Sequence, residues 1–163
     1  MSQSSQSQSS QSQSSKSQST TLALENFLPY RLTRLTDAIS RDFSQAYRAR
    51  LGLTRPEWRT LATIGQFGTM TATEIGAHSS MHKTKVSRAV ASLETRRWLV
   101  RTPDPQDRRV ERLTLSKTGQ KAYEDMVPVA RSFETKLLDR MKPKERAALL
   151  EGLEALERTT LTE

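Results

Sequence analysis

The sequence predicts a mainly α-helical fold with a small β-wing: a winged helix-turn-helix with flanking dimerisation helices. Three observations carry this expectation. A basic stretch with helical spacing, HKTKVSRAVASLETRRWL at residues 82–99, runs directly into two short segments of strand character, 99–102 and 111–115. Between them lies Pro103-Asp-Pro-Gln-Asp-Arg-Arg109, a turn rich in breakers and charge, so the pair reads as a hairpin. Charge collects in the same place: over residues 82–112 nine basic side chains face four acidic ones, +5 of the chain's net +8, while from residue 116 onward nine of each cancel. Such asymmetry implies a polyanionic partner more strongly than net charge alone.

The elements follow in order. Residues 1–20, MSQSSQSQSSQSQSSKSQST, are low-complexity Ser/Gln with one charge, and they predict a disordered tail over 1–21. Leu28, Leu32, Leu35, Ile39, Phe43, Ala46 or Tyr47, and Leu51 recur at steps of three and four, the pattern of a long amphipathic helix from about Pro29 to Gly52. Thr54-Arg-Pro-Glu57 fits a capping box, which starts a second helix reaching about Phe67 with Trp58, Leu61, Ala62 and Ile64 as apolar contacts. Gly65 and Gly68 bracket a break, and Thr71-Ala-Thr-Glu74 caps a short third helix over 72–78, the first arm of the helix-turn-helix. The next helix, 82–97, keeps Val86, Ala89, Val90 and Leu93 on one face. After the hairpin come two further helices, 117–141 and 143–159, the first kinked at Pro128. The expected organisation is a DNA-binding lobe over 53–115, with dimerisation helices at 22–51 and 116–163, all within one domain over 22–163.

Composition narrows the chemistry. With no cysteine, disulfides, Cys-ligated zinc and thiol redox sensing are excluded together. The two histidines, His78 and His82, are four residues apart, but a turn is expected between them, so no metal and no other cofactor is expected. No secretory-type apolar run and no segment of about 18 apolar residues is present, so a cytoplasmic protein without a membrane partner is expected. No phosphate loop or cysteine nucleophile is visible, and the reading is that the chain is not an enzyme.

The candidate DNA contacts lie on the fourth helix and the hairpin tip. A recognition helix reads base edges from its N-terminal turns. Lys83, Lys85 and Arg88 supply cations there; Lys83 and Arg88 can donate to guanine, and Thr84 and Ser87 can bond bases or phosphates. His82 fits a helix cap as well as a DNA contact. At the tip a guanidinium on a β-turn can enter the electronegative minor groove. Arg108 and Arg109 are the candidates, with Asp107 close enough to hold the Arg109 guanidinium. The plain alternatives are a solvated helix face and an ordinary charged hairpin tip.

The element order and particular residues resemble the MarR family of bacterial transcription regulators. The run Asp107-Arg-Arg-Val-Glu-Arg-Leu-Thr-Leu115-Ser-Lys-Thr-Gly119 matches the family's Asp-x-Arg wing and the Leu-Thr/Ser and Gly that follow it. Val86-Ser87-Arg88 and Leu93-Glu94 match the recognition helix and its exit. The resemblance implies a homodimer on a near-palindromic double-stranded DNA operator, with Arg109 inserted in the minor groove, Asp107 orienting it, and Arg108 on phosphate. Two departures stand out. The absence of cysteine excludes the peroxide-sensing mode, and Lys142 precedes Pro143 where many relatives have a Ser or Thr cap.

LENFLPYRLTRL, LTRPEWRTLATIGQ and MHKTKVSRAV are similar to a branch that controls breakdown of plant-derived aromatic acids. That resemblance implies a repressor released by an aromatic acid or a hydroxycinnamoyl-CoA thioester. Tyr30, Arg31, Arg34, Trp58 and Arg59 are the candidate effector residues, aromatic faces beside guanidiniums; core aromatics and solvated arginines are the bland alternative. A winged-helix protein-interaction module without specific DNA binding is the competing function.

Overall fold

A computed structural model of the chain describes residues 21–161. The predicted Ser/Gln tail, apart from Thr21, lies outside the described residues. The chain divides into two units, Met1–Asp37 and Ala38–Glu163. In the first, a 3-10 turn at Leu24–Asn26 precedes the beginning of helix α1 (Leu28–Leu51). Leu22, Leu24, Phe27, Leu28, Tyr30 and Leu35 expose their apolar surface there.

The second unit holds the rest of α1, then α2 (Arg55–Phe67), α3 (Ala72–Ser79), α4 (Lys83–Thr95), the strands β1 (Leu99–Pro103) and β2 (Glu111–Leu115), α5 (Lys117–Leu138) and α6 (Pro143–Thr160). Mostly helical with a two-stranded antiparallel wing, this is the expected fold class. The hairpin pairs Leu99 with Leu115, Arg101 with Leu113 and Pro103 with Glu111. A bridge not foreseen from sequence adds Met70 to its edge, donating to the Leu113 carbonyl at 3.0 Å and accepting from its N–H at 2.7 Å. The wing is thereby tied to the segment that enters α3.

Local chemistry explains the boundaries. At α2 the Glu57 carboxylate accepts from the Thr54 N–H at 2.6 Å and the Thr54 hydroxyl at 2.8 Å. At α3 the box is reciprocal: the Thr71 hydroxyl accepts from the Glu74 N–H at 3.1 Å, and Glu74 accepts from the Thr71 N–H at 2.6 Å. Although Lys142 lacks a hydroxyl, Glu145 accepts its N–H at 2.9 Å, so α6 keeps half of the box. Helix α4 stops at Thr95, and Arg97 then adopts φ 59°, the left-handed turn that glycine usually takes. Helix α5 ends at Leu138, three residues earlier than expected, and continues as helix through Pro128, whose ring cannot donate to the Glu124 carbonyl.

One core joins these parts: Tyr47 and Leu53, Leu61 and Ile64, Ile75, Val86, Val90 and Leu93, Leu99, Leu113 and Met126. It uses the expected inward faces of α2 and α4, whereas on α1 Tyr47 is buried and Leu28, Leu35 and Ile39 of the expected apolar stripe stay exposed. Where α5 begins, Gly119 lies so close to Trp98 that an added Cβ would stand 2.1 Å from the Trp98 carbonyl oxygen. By contrast α6 has no buried residue and exposes Leu149, Leu150 and Leu153. Among the described residues no helix is long and apolar enough to cross a membrane.

Candidate nucleic-acid interface

Helix α4 separates its faces cleanly. Val86, Ala89, Val90 and Leu93 are buried, while Lys83, Thr84, Lys85, Ser87 and Arg88 are exposed. Among the described residues no salt bridge engages Lys83, Lys85 or Arg88. His82 is the N-cap, and its Nδ1 accepts from the Thr84 N–H at 3.4 Å, a long and therefore weak bond. The turn before it is set by Ser80 at φ 49° and by Met81 donating to the Gly76 carbonyl at 2.9 Å. A Cβ on Gly76 would come 3.1 Å from the Met81 carbonyl oxygen, so a larger residue there would push the turn outward by a few tenths of an ångström.

The hairpin tip is organised by Asp104, a residue the sequence reading passed over as one more surface charge. Its Oδ2 accepts from Arg112 Nε at 2.6 Å, and its Oδ1 accepts from the N–H groups of Gln106 at 2.8 Å and Asp107 at 3.3 Å. The Arg112 hydrogen bond, followed by those backbone donors, holds its carboxyl below the usual carboxylate range. Arg112 also reaches Glu74 at 3.8 Å, linking the wing to the cap of α3. On β1, Arg101 pairs with Glu94 of α4 at 2.8 Å and with Glu111 of β2, and Glu94 first, then Glu111, hold it firmly charged.

Arg108 and Arg109 remain exposed at the tip. Among the described residues no ion pair joins Asp107 to the Arg109 guanidinium; its Oδ1 accepts the Arg109 backbone N–H at 3.0 Å. The reason is local: an Asp carboxylate two residues before an N–H closes an Asx turn, and that short-range bond wins over a flexible exposed ion pair.

The five effector candidates fall in different units. Tyr30, Arg31 and Arg34 lie on the exposed beginning of α1, where the Arg34 guanidinium sits 5.9 Å from the Tyr30 ring centroid. Trp58 and Arg59 are half-buried on α2. Trp58 stacks on Tyr47 with centroids 5.9 Å apart and planes at 11°, and Phe43 meets both edge-on at 5.4 to 5.6 Å and touches Phe133 at 5.0 Å. Burial, then the neighbouring Arg55 charge, lowers the affinity of Arg59 for its proton, as expected of a desolvated guanidinium beside a like charge. Among the described residues the buried Thr60 hydroxyl finds no hydrogen-bond partner. The clearest cavity, about 440 Å³, lies elsewhere, between α3, α4 and the wing, where Thr73, Met81, Lys83, Ser87, Val90 and Arg101 line it. As for metals, His78 packs on Phe67 at 4.1 Å, and no group of three or more ligating side chains occurs among the described residues.

This is the geometry of a winged helix-turn-helix that presents a cationic helix and a cationic β-tip. A MarR family model matches residues 51–110, from the end of α1 to the wing tip. The uncharacterized HTH-type transcriptional regulator YwoH of Bacillus subtilis is 28% identical over 97 residues, covering 60% of this chain and 70% of its own. The solved structure of the MarR family transcriptional regulator SPO1453 from Silicibacter pomeroyi is 29% identical, covers 85% of this chain and 98% of its own, and superposes with a TM-score of 0.74. A structure of Bordetella bronchiseptica BpsR, described as showing the mechanism by which 6-hydroxynicotinic acid regulates its DNA binding, matches with a TM-score of 0.72 and 22% identity, over 84% of this chain and 97% of its own. Over its winged helix-turn-helix the chain is thus similar to MarR family transcriptional regulators.

Proposed function

We propose that the chain is a ligand-responsive DNA-binding transcriptional regulator: a homodimer on a near-palindromic operator that represses genes of aromatic-compound catabolism. The observation that carries the DNA-binding part is the row of exposed cations on α4, without a salt bridge among the described residues, beside a wing in which Arg101 and Arg112 are paired internally while Arg108 and Arg109 are exposed. A polyanion supplies the missing counter-charge, and base edges meet Lys83, Thr84, Ser87 and Arg88. Two-fold pairing would place two such helices one turn of DNA apart, ~10 bp between half-sites. The apolar surface of Leu149, Leu150 and Leu153 on α6 suits such pairing.

The effector is proposed to be an aromatic carboxylate or its CoA thioester. Arg59 is half-buried and lacks its full hydration, so an anion beside it would offset that cost. The neighbouring stack of Trp58, Tyr47 and Phe43 suits an aromatic ring. Tyr30, Arg31 and Arg34, on the first unit, are proposed as effector contacts of the same aromatic and cationic chemistry. That 6-hydroxynicotinic acid, an aromatic carboxylate, regulates a protein of the same fold supports this class. Selection of duplexes from a random pool by the full chain tests the first part, and a flat outcome at low salt would leave the protein-interaction reading. Calorimetry with benzoates, hydroxycinnamates, 6-hydroxynicotinate and CoA thioesters tests the second. Binding should be lost in Arg34→Ala/Arg59→Ala while DNA affinity without ligand persists; if no compound binds or releases the duplex, the effector assignment fails.

A further inference from the structure

Two polar clamps fasten the exit end of α4 to the corner between α1 and α2. Arg96, the residue that closes α4, donates through Nη1 to the Leu51 carbonyl at 3.0 Å and through Nη2 to the Gly52 carbonyl at 2.9 Å. These carbonyls end α1, where no helical donor remains for them and the helix dipole is negative. A planar guanidinium satisfies both at once. One turn earlier on α4, Ser92 donates to Glu57 Oε1, while Oε2 of the same carboxylate caps α2 through Thr54. Burial works against the Glu57 charge, but the bonds from Ser92 and Thr54 and the Arg96 charge outweigh it and keep the group ionised. Ser92 and Arg96 are four residues apart, so both fasten one face of the helix. Arg96 is further oriented over the Trp98 ring, 5.3 Å from its centroid.

The other end of α4 carries Lys83, Thr84, Ser87 and Arg88. A helix of 13 residues is about 20 Å long. Val86, Ala89, Val90 and Leu93 pack along it, and the clamps add polar restraints at its C-terminal end, so a small change of tilt there displaces the reading side chains by more than it displaces Arg96. We infer that Arg96 and the Glu57–Ser92 pair are positioning residues that fix the tilt of the reading helix against the α1–α2 corner, and so determine how far the protein discriminates its operator from other DNA. The inference rests on the DNA-binding reading above and goes beyond it by assigning specificity to residues that need not touch DNA.

The competing role for Arg96 is a phosphate contact, which would strengthen binding to every duplex alike. The two roles separate experimentally. The full chain would first select its own duplex from a random pool; failure at that step refutes the DNA-binding reading and not the clamp. Arg96→Lys keeps the charge but offers one ammonium where the fork spans two carbonyls, and Ser92→Ala changes no charge at all. Each should lower affinity for the selected duplex about 5- to 20-fold, with affinity for a scrambled duplex held within about 2-fold and the slope of log K against log salt unchanged. Arg96→Gln should match them for the selected duplex. If Arg96→Gln instead weakens selected and scrambled DNA equally and flattens the slope by about 0.9, Arg96 is a phosphate contact and the inference falls. It falls equally if Arg96→Lys and Ser92→Ala, checked as folded by circular dichroism, both discriminate as the wild type does.

Discussion

Gly119→Ala adds one methyl group where the backbone leaves no space for it. The new Cβ would lie 2.1 Å from the Trp98 carbonyl oxygen, 2.9 Å from its carbonyl carbon and 3.1 Å from its Cα. All three are backbone atoms, so no rotamer change relieves the clash. Non-bonded carbon contacts settle near ~3.5 Å, so the first turn of α5 must retreat by more than ~1 Å. Retreat breaks what fixes this junction: the Ser116 N–H to the Trp98 carbonyl at 2.9 Å and the Ser116 hydroxyl to the Arg97 carbonyl at 2.7 Å. Overpacking costs ~1–3 kcal/mol and each lost bond ~1 kcal/mol, giving a destabilisation of about 3–5 kcal/mol. For a chain of this size that lowers Tm by about 10 °C. Thermal unfolding followed by circular dichroism, at one fixed protein concentration, measures it. Gly152→Ala is the control, since a Cβ there meets nothing within 4 Å and should stabilise α6 by up to ~1 kcal/mol. A Gly119→Ala protein that melts within ~2 °C of wild type would refute the reasoning.

Other substitutions test other links. Arg109→Ala should weaken operator binding by ~1–3 kcal/mol in a fluorescence-anisotropy titration. Asp107→Asn, which keeps an acceptor for the Arg109 N–H, should bind near wild type while Asp107→Ala binds less well; equal effects of the two would refute the Asx-turn role. Arg97→Gly should raise stability by ~0.5–1 kcal/mol, because φ 59° costs a side-chain-bearing residue what it does not cost glycine. Glu57 is held below the ordinary carboxylate range in the folded chain, so its contribution is complete above the unfolded value of ~4.3 and is lost as pH falls through the lower folded value. Urea midpoints measured from ~pH 6 down to ~pH 3 should therefore fall less steeply in Glu57→Gln than in the wild type.

What could be read from the sequence was what depends on neighbours in the chain. The boxes Thr54/Glu57 and Thr71/Glu74 span four residues each, so spacing alone reveals them. The outward placement of Lys83, Thr84, Ser87 and Arg88 followed from the inward placement of Val86, Ala89, Val90 and Leu93. Contacts between distant segments were not legible. Arg96 meets carbonyls 44 and 45 positions earlier, and Ser92 meets a carboxylate 35 positions away, with no periodicity to announce either. Asp104 looked like another charge in a polar turn until the fold brought Arg112 to it across the strands. Trp58 was read as a ligand-facing ring, and Tyr47 already covers one of its faces. A Gly-rich or hydroxyl-rich turn at those positions would have given a signal; isolated charges do not.

Helix α6 carries 18 residues and not one buried side chain. Helices of that length are marginal in water unless an apolar face is covered, since the nucleation cost is recovered only slowly by propagation. Among the described residues little covers α6, so in the proposed homodimer its amides should exchange with deuterium at rates set by protein concentration. The amides of α4, whose inward face is sealed by Leu93 and Val90, should exchange independently of dilution. One helix of this molecule would thus act as a concentration gauge, ordered in company and fraying when alone.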